Sequence, residues 1–192
     1  MYLSLIPTKL GGGVVIKGDS LTINKVERLL TRTAIESHSC YDNGMCMTLS
    51  RYFEEKSRAV DWVTLIAGLT ALRNSLGYRL NKENHALICL LEYEVSNALY
   101  IFLGEHTHAE VDDALNSLYG LNDQLCGEVI ESRMVYLYLL KTPEYRKKEL
   151  LNIIKSISPI LRFSNRDYLK RFEGLSSSQL NYPAGATFEY EL

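Results

Sequence analysis

From Asp19 to Gly174, apolar residues return at three-and-four spacing in successive blocks, each opened by a capping residue and closed by a glycine, a proline or a polar turn. That period commits most of the chain to amphipathic helices, which must bury their stripes against one another. Asp19-Ser20-Leu21-Thr22 offers caps for a first helix carrying Val26, Leu29, Leu30, Ala34 and Ile35. Residues 39–44 break it, and a second helix follows over roughly 47–56. Asp61 caps a third, with Trp62, Leu65, Ile66, Leu69, Leu72 and Leu76 on one stripe and Gly77 as its stop. Asn81 caps a fourth, in which residues 86–91, Val95, Ala98, Leu99 and Phe102 face inward and Gly104 ends the run.

Thr107-His108-Ala109-Glu110 is a capping box, whose hydroxyl and carboxylate satisfy each other's orphan amides. It opens a long pattern through Val111, Leu115, Leu118, Leu125, Val129 and Val135 to Lys141, bent or split at Gly120 or Gly127. Thr142-Pro143-Glu144 restarts a helix, since proline is pre-set for the first helical position. That helix carries Leu150, Ile153, Ile154 and Ile157 toward Pro159, and residues 164–167 begin a last short one that stops at Gly174.

The two ends of the chain follow a different period. Residues 1–8 and 13–18 favour strands and flank Lys9-Leu10-Gly11-Gly12-Gly13, a hairpin signal. Residues 186–192 alternate, with Phe188, Tyr190 and Leu192 on one face and Thr187, Glu189 and Glu191 on the other. A lone hairpin is marginal in water, so both ends are expected in one antiparallel sheet of about three strands. The fold expected is mainly α: a single domain over 1–192, with a helical bundle of about six to seven helices over 19–174. The 1–18 hairpin and the 186–192 strand supply its small antiparallel sheet.

Charge narrows the function classes. Lys and Arg number 21 against 23 Asp and Glu, a formal net charge of −2, so there is no wholesale positive field for nucleic acid or membrane surfaces. The longest uninterrupted apolar run, residues 86–91, falls well short of the ~18–20 residues a membrane span requires. Met1-Tyr2-Leu3-Ser4-Leu5-Ile6-Pro7 has neither the basic start nor the small-residue cleavage site of a secretory leader. Four cysteines fall at irregular spacing, and Cys89 and Cys126 lie in apolar helical patterns, where a thiol acts as a small hydrophobe. A cytoplasmic protein with no membrane contact is expected.

Several constellations could carry chemistry. Arg79-Leu80-Asn81-Lys82-Glu83-Asn84-His85 resembles the Arg-x(4–6)-His signature of HEPN-type ribonucleases, with Leu80 where that family usually has a polar residue. The resemblance implies a helical bundle that often dimerises and cleaves RNA without metal. His85 would help activate the ribose 2′-hydroxyl, and Arg79 would hold the scissile phosphate. The structural alternative has Arg79 ending one helix and His85 packing in the first turn of the next. His38, Cys40 and Cys46 are weak candidates for zinc, which wants four N or S ligands, and His106 and His108 lie at another helix start. No metal and no cofactor are expected. Gly11-Gly12-Gly13 is no phosphate loop, because Lys17 precedes Gly18 and Ser20 is displaced from the Gly-Lys-Ser/Thr order.

Glu92 and Glu94 point about 200° apart around a helix and cannot act as one acid/base pair; one of them should meet an arginine such as Arg73. Tyrosine is the dominant aromatic, at 13 against 5 Phe and 1 Trp, and Tyr136, Tyr138 and Tyr145 fall close together as candidate binding residues. The function expected is a non-enzymatic protein–protein interaction module, of inhibitor, immunity or adaptor type, from a bacterium or phage. Its partner would be another protein, a homodimer also being compatible. Nucleic acid enters only with the ribonuclease alternative on Arg79 and His85.

Overall fold

A computed structural model describes residues 1–54, 59–76, 81–104, 108–118, 127–158 and 166–179, with the backbone alone described for Cys40, Leu76 and Arg166. Strands β1 (Leu3–Pro7) and β2 (Gly13–Gly18) pair antiparallel, from Leu3 opposite Gly18 to Pro7 opposite Val14. Leu3, Leu5, Val14 and Ile16 are buried, while their neighbours Ser4, Ile6, Val15 and Lys17 are at least partly open to solvent. This alternation gives the hairpin one inner and one outer face. A third strand, β3 (Ala59–Asp61), lies antiparallel on the other side of β2, with Gly13 opposite Asp61 and Val15 opposite Ala59. The described sheet therefore takes its third strand from mid-chain. Residues 186–192, expected in that role, lie outside the described residues.

Eight helices complete the described architecture: α1 (Ser20–Glu36), α2 (Cys40–Glu54), α3 (Trp62–Leu76), α4 (Lys82–Leu103), α5 (His108–Asn116), α6 (Gly127–Leu139), α7 (Pro143–Ile157) and α8 (Arg166–Leu169). Short 3-10 turns follow at Lys170–Phe172 and Ser177–Gln179. Their starts obey the capping chemistry. Asp19, Asn81 and Thr142 accept hydrogen bonds at the first turns of α1, α4 and α7, and the Asp61 carboxylate accepts from the Thr64 N–H at 2.8 Å on α3. Asp61 is fully buried, and burial pushes its pKa up against the pull of the Thr64 hydrogen bonds.

One expectation requires correction, and another is met. Residues 39–44 do not form a break: Ser39 Oγ accepts the Asp42 N–H at 3.2 Å, and α2 is already under way at Cys40. Gly44 inside it costs about 1 kcal/mol relative to alanine, and the packing of α2 against α1 and α3 outweighs that. The long pattern beginning near residue 108 is split, as expected, α5 ending at Asn116 and α6 starting on Gly127.

Buried residues of β1–β3 and α1–α7 form one contiguous apolar cluster. Helix α4, 22 residues long with an 18-residue stretch of mean hydropathy 1.5, is long and apolar enough to cross a membrane by length and composition, although no uninterrupted apolar run in it reaches that length. In this fold it is a core helix. Leu87, Ile88, Leu91, Val95, Leu99 and Leu103 are buried, Glu92 pairs with Arg73, and the buried Glu94 accepts the Leu5 N–H of β1 at 3.4 Å. An arginine partner for one of this carboxylate pair was legible in the sequence; the second carboxylate's tie to the sheet was not.

The hairpin turn is where the helices grip the sheet. Gly11 adopts φ +69°, and three successive carbonyls point into the bundle. Leu10 O accepts from Arg146 at 3.0 Å, Gly11 O from Trp62 Nε1 at 3.2 Å, and Gly12 O from the Trp62 backbone N–H at 3.1 Å. Trp62 and Arg146 are both buried, and Arg146 also donates to Leu137 O at 3.2 Å. A methyl group on Gly13 would overlap the Val60 carbonyl, so the glycine run serves close backbone approach rather than phosphate binding. Trp62→Phe, which removes one of these donors and leaves Gly11 O buried, is expected to cost about 1–3 kcal/mol in urea unfolding.

At the other end of the hairpin, Asp19 accepts from the Thr22 N–H at 2.9 Å, the Thr22 hydroxyl at 2.8 Å and the Tyr2 N–H at 2.6 Å. These bonds, Thr22 foremost, hold its carboxyl from an ordinary 3.8 down to about 2. A depressed folded pKa contributes stability that is present above the unfolded value and lost as pH falls through the folded one. Asp19→Asn, which can still accept hydrogen bonds, should therefore lose less stability than the parent between about pH 4 and pH 2, read from urea midpoints.

Candidate functional site

Helix α4 buries only part of its circumference. Starting from Asn81, whose side chain accepts the Asn84 N–H at 2.8 Å, the inward stripe takes Leu87, Leu91, Val95, Ala98 and Leu99 into the core. At 100° per residue the opposite arc carries Ala86, Cys89, Tyr93, Asn97 and Ile101, spaced three or four apart. Tyr93 is 65 % exposed and Ile101 63 % exposed, and Ala86 and Cys89 are exposed as well. This corrects the inward placement of Ala86 and Cys89. No Asp, Glu, Lys or Arg falls among these five positions.

Charge borders the arc. Glu83 pairs with Lys25 of α1 at 2.7 Å, and Glu92 is held by Arg73 of α3. Tyr100 donates to Asp112 of α5 at 2.6 Å, and its ring meets that of His108 at a 58° tilt with centroids 3.9 Å apart. Burial and the Asp112 carboxylate push the Tyr100 hydroxyl up to about 12, so it stays a neutral donor. On the arc itself, Cys89 Sγ lies 3.7 Å from His85 Nε2, one turn back.

The three tyrosines singled out in the sequence do not share a face. Tyr138 is 2 % exposed and belongs to the interior, while Tyr145 is 61 % exposed at the start of α7. Tyr136 is half-buried beneath the turn after α8: its ring meets Phe172 edge-on at 5.0 Å, and its hydroxyl accepts from Arg171 at 3.4 Å. Around Phe172 the packing continues. Tyr168 meets it edge-on at 5.4 Å, and the Arg133 guanidinium lies 4.1 Å from the ring centre. Glu149 of α7 accepts from Tyr168 at 3.1 Å and pairs with Arg171 at 3.3 Å. Burial, then the Glu149 charge, raises the Tyr168 pKa, so the phenol stays protonated. This cluster clamps the 166–172 segment onto α6 and α7, a structural task.

His85 is exposed on α4, and Arg79 lies outside the described residues, so the structure neither joins nor separates that pair. Cys46 is fully buried, and burial, with the Asp42 charge adding to it, pushes its thiol up to about 12. His38 is exposed in the turn before α2, in a different environment from Cys46, and only the backbone of Cys40 is described. Among the described residues no group of three or more His, Cys, Asp or Glu side chains converges as a metal site. A shallow depression runs along α1 beside Glu27, Arg28, Arg32 and Ile35. Three of its charges are engaged locally, since Glu27 accepts from Thr31 and Arg32 donates to Glu36.

Comparison of the chain with family models, with curated proteins and with solved structures finds no match in any of the three.

The α4 arc escaped sequence reasoning because a core helix is read from its inward stripe. The signal was the surplus: Ala86, Cys89, Tyr93 and Ile101 are more apolar residues than that stripe needs. Phe172→Ala should destabilise the chain by about 3–5 kcal/mol, with hydrogen exchange in residues 166–172 rising more than in α1. Exchange rising equally in both helices would refute the clamp.

Proposed function

We propose that this chain is a non-enzymatic protein–protein interaction module of inhibitor, immunity or adaptor type, and that the outer arc of α4 is its docking face. The observation that carries this reading is the exposure of Tyr93 and Ile101 on an arc without charged side chains. A large aromatic open to water contributes little to the fold and much to an interface. The occupant we favour is an amphipathic helix of another protein. The three-and-four spacing of Ala86, Cys89, Tyr93, Asn97 and Ile101 matches the seam a second helix packs against. We also read 1–192 as one domain, a reading supported by the single apolar cluster shared by β1–β3 and α1–α7.

The test is photo-cross-linking from Tyr93 and Ile101 in the native host, followed by reconstitution from purified components. One protein, joined through a helical segment from both positions and bound one-to-one, is the expected result. Its affinity should fall at least tenfold, about 1.4 kcal/mol, with Tyr93→Lys at unchanged melting temperature. Affinity indifferent to both Tyr93→Lys and Ile101→Lys would refute the docking face. Cross-links only to a second copy would replace the foreign helix with a homodimer.

A further inference from the structure

Residues 166–179, which hold α8 and the two 3-10 turns, lie on α6 and α7 as a strap. Among the described side chains of this segment only Phe172 is buried, and it does not join the contiguous apolar cluster of the described core. The polar hold runs through side chains of the bundle. Tyr168 and Arg171 both reach Glu149 of α7, and the Ser177 N–H donates to Glu131 of α6 at 2.7 Å. The backbone bonds from Glu173 to Lys170 and from Leu175 to Phe172 are local. A segment anchored by one ring and a few exposed polar bonds opens at lower free energy than the core beneath it.

The seat under that ring belongs to the helices. The Arg133 guanidinium, 4.1 Å from the Phe172 ring centre, donates to Ser132 Oγ at 2.9 Å, Ser156 Oγ at 3.2 Å and Ser156 O at 3.3 Å. These acceptors lie on α6 and α7, so they orient the guanidinium with the strap down or lifted. Tyr136 of α6 supplies the edge-on ring. Arg171 bonds the Tyr136 hydroxyl at 3.4 Å and Glu149 at 3.3 Å through one nitrogen, so the carboxylate and the aromatic seat are adjacent.

We propose that the strap is an autoinhibitory contact: Arg171-Phe172 fills, within the chain, a recognition site on α6 and α7 for a segment of another protein in which a cationic residue precedes an aromatic one. The incoming ring takes the Arg133 face and the Tyr136 edge, and the incoming cation takes Glu149. Because the strap is tethered, its effective concentration keeps the site closed. A competing segment binds only the open fraction, and its apparent affinity falls by that fraction. The site uses other elements than the α4 arc and does not depend on that arc being a docking face.

The test uses the full chain and a fluorescent peptide of its own residues 166–179 as the competing segment, read by anisotropy. Arg171→Glu, which sets two carboxylates against each other at the surface, lifts the strap without hollowing the fold. That chain should bind the peptide about tenfold more tightly than wild type at unchanged circular dichroism. The same peptide carrying Phe172→Ala should not bind, and adding Glu149→Lys to the Arg171→Glu chain should abolish binding. Hydrogen exchange on the wild-type chain needs no variant: strap amides should exchange about tenfold faster than the buried turns of α7. Strap amides as protected as those of α7 would overturn the detachable strap. Peptide affinity no greater for the Arg171→Glu chain than for wild type would overturn the recognition site.

Discussion

Three backbone carbonyls in a row, on Leu10, Gly11 and Gly12, must find donors if the hairpin turn is to lie against the helices. An unsatisfied buried carbonyl costs on the order of 1–3 kcal/mol, so the turn can be buried there only when all three are met. Trp62 meets two of them, one with its indole and one with its backbone, and Arg146 meets the third. Because Trp62 opens α3 and Arg146 lies in α7, the same bonds set both helices against the sheet. Glu94 does the equivalent for β1 from α4. Polar groups thus orient the apolar layers, which by themselves would specify burial but not register.

Much of this was legible in the sequence, and the legible parts were local. Asp19, Asn81 and Thr142 cap the helices they were expected to cap, and Gly11-Gly12-Gly13 turns between β1 and β2. Such features depend on a few adjacent residues, whose propensities act in the unfolded chain as in the folded one. The third strand was not legible, because Ala59-Val60-Asp61 is too short to display a period and its pairing depends on Gly13, far away in the chain. The start of α2 was missed for a related reason: Tyr41-Asp42-Asn43-Gly44 reads as a turn by composition, and only the Ser39 cap and the neighbouring helices make it helical.

The candidate site was harder still. Proximity in sequence grouped Tyr136, Tyr138 and Tyr145, but a helical register sends Tyr138 inward, and Arg171 and Phe172 arrive from 35 and 36 residues away to occupy Tyr136. Conversely, nothing in the sequence separates the inward apolar residues of α4 from the outward ones until β1 and α3 choose a side. Once they do, Tyr93 and Ile101 are left in water, and His85 and Cys89 are left facing each other there.

The bond from Arg146 to Leu10 spans 136 residues. During synthesis the hairpin leaves the ribosome early, yet the guanidinium that completes its turn follows on the order of ten seconds later at ordinary elongation rates of ~5–20 residues per second. For that interval the first strands have their local partners but not their final lock. The hairpin is thus made well before the residue that locks its turn, and Leu3, Leu5, Val14 and Ile16 wait for the helices that cover them.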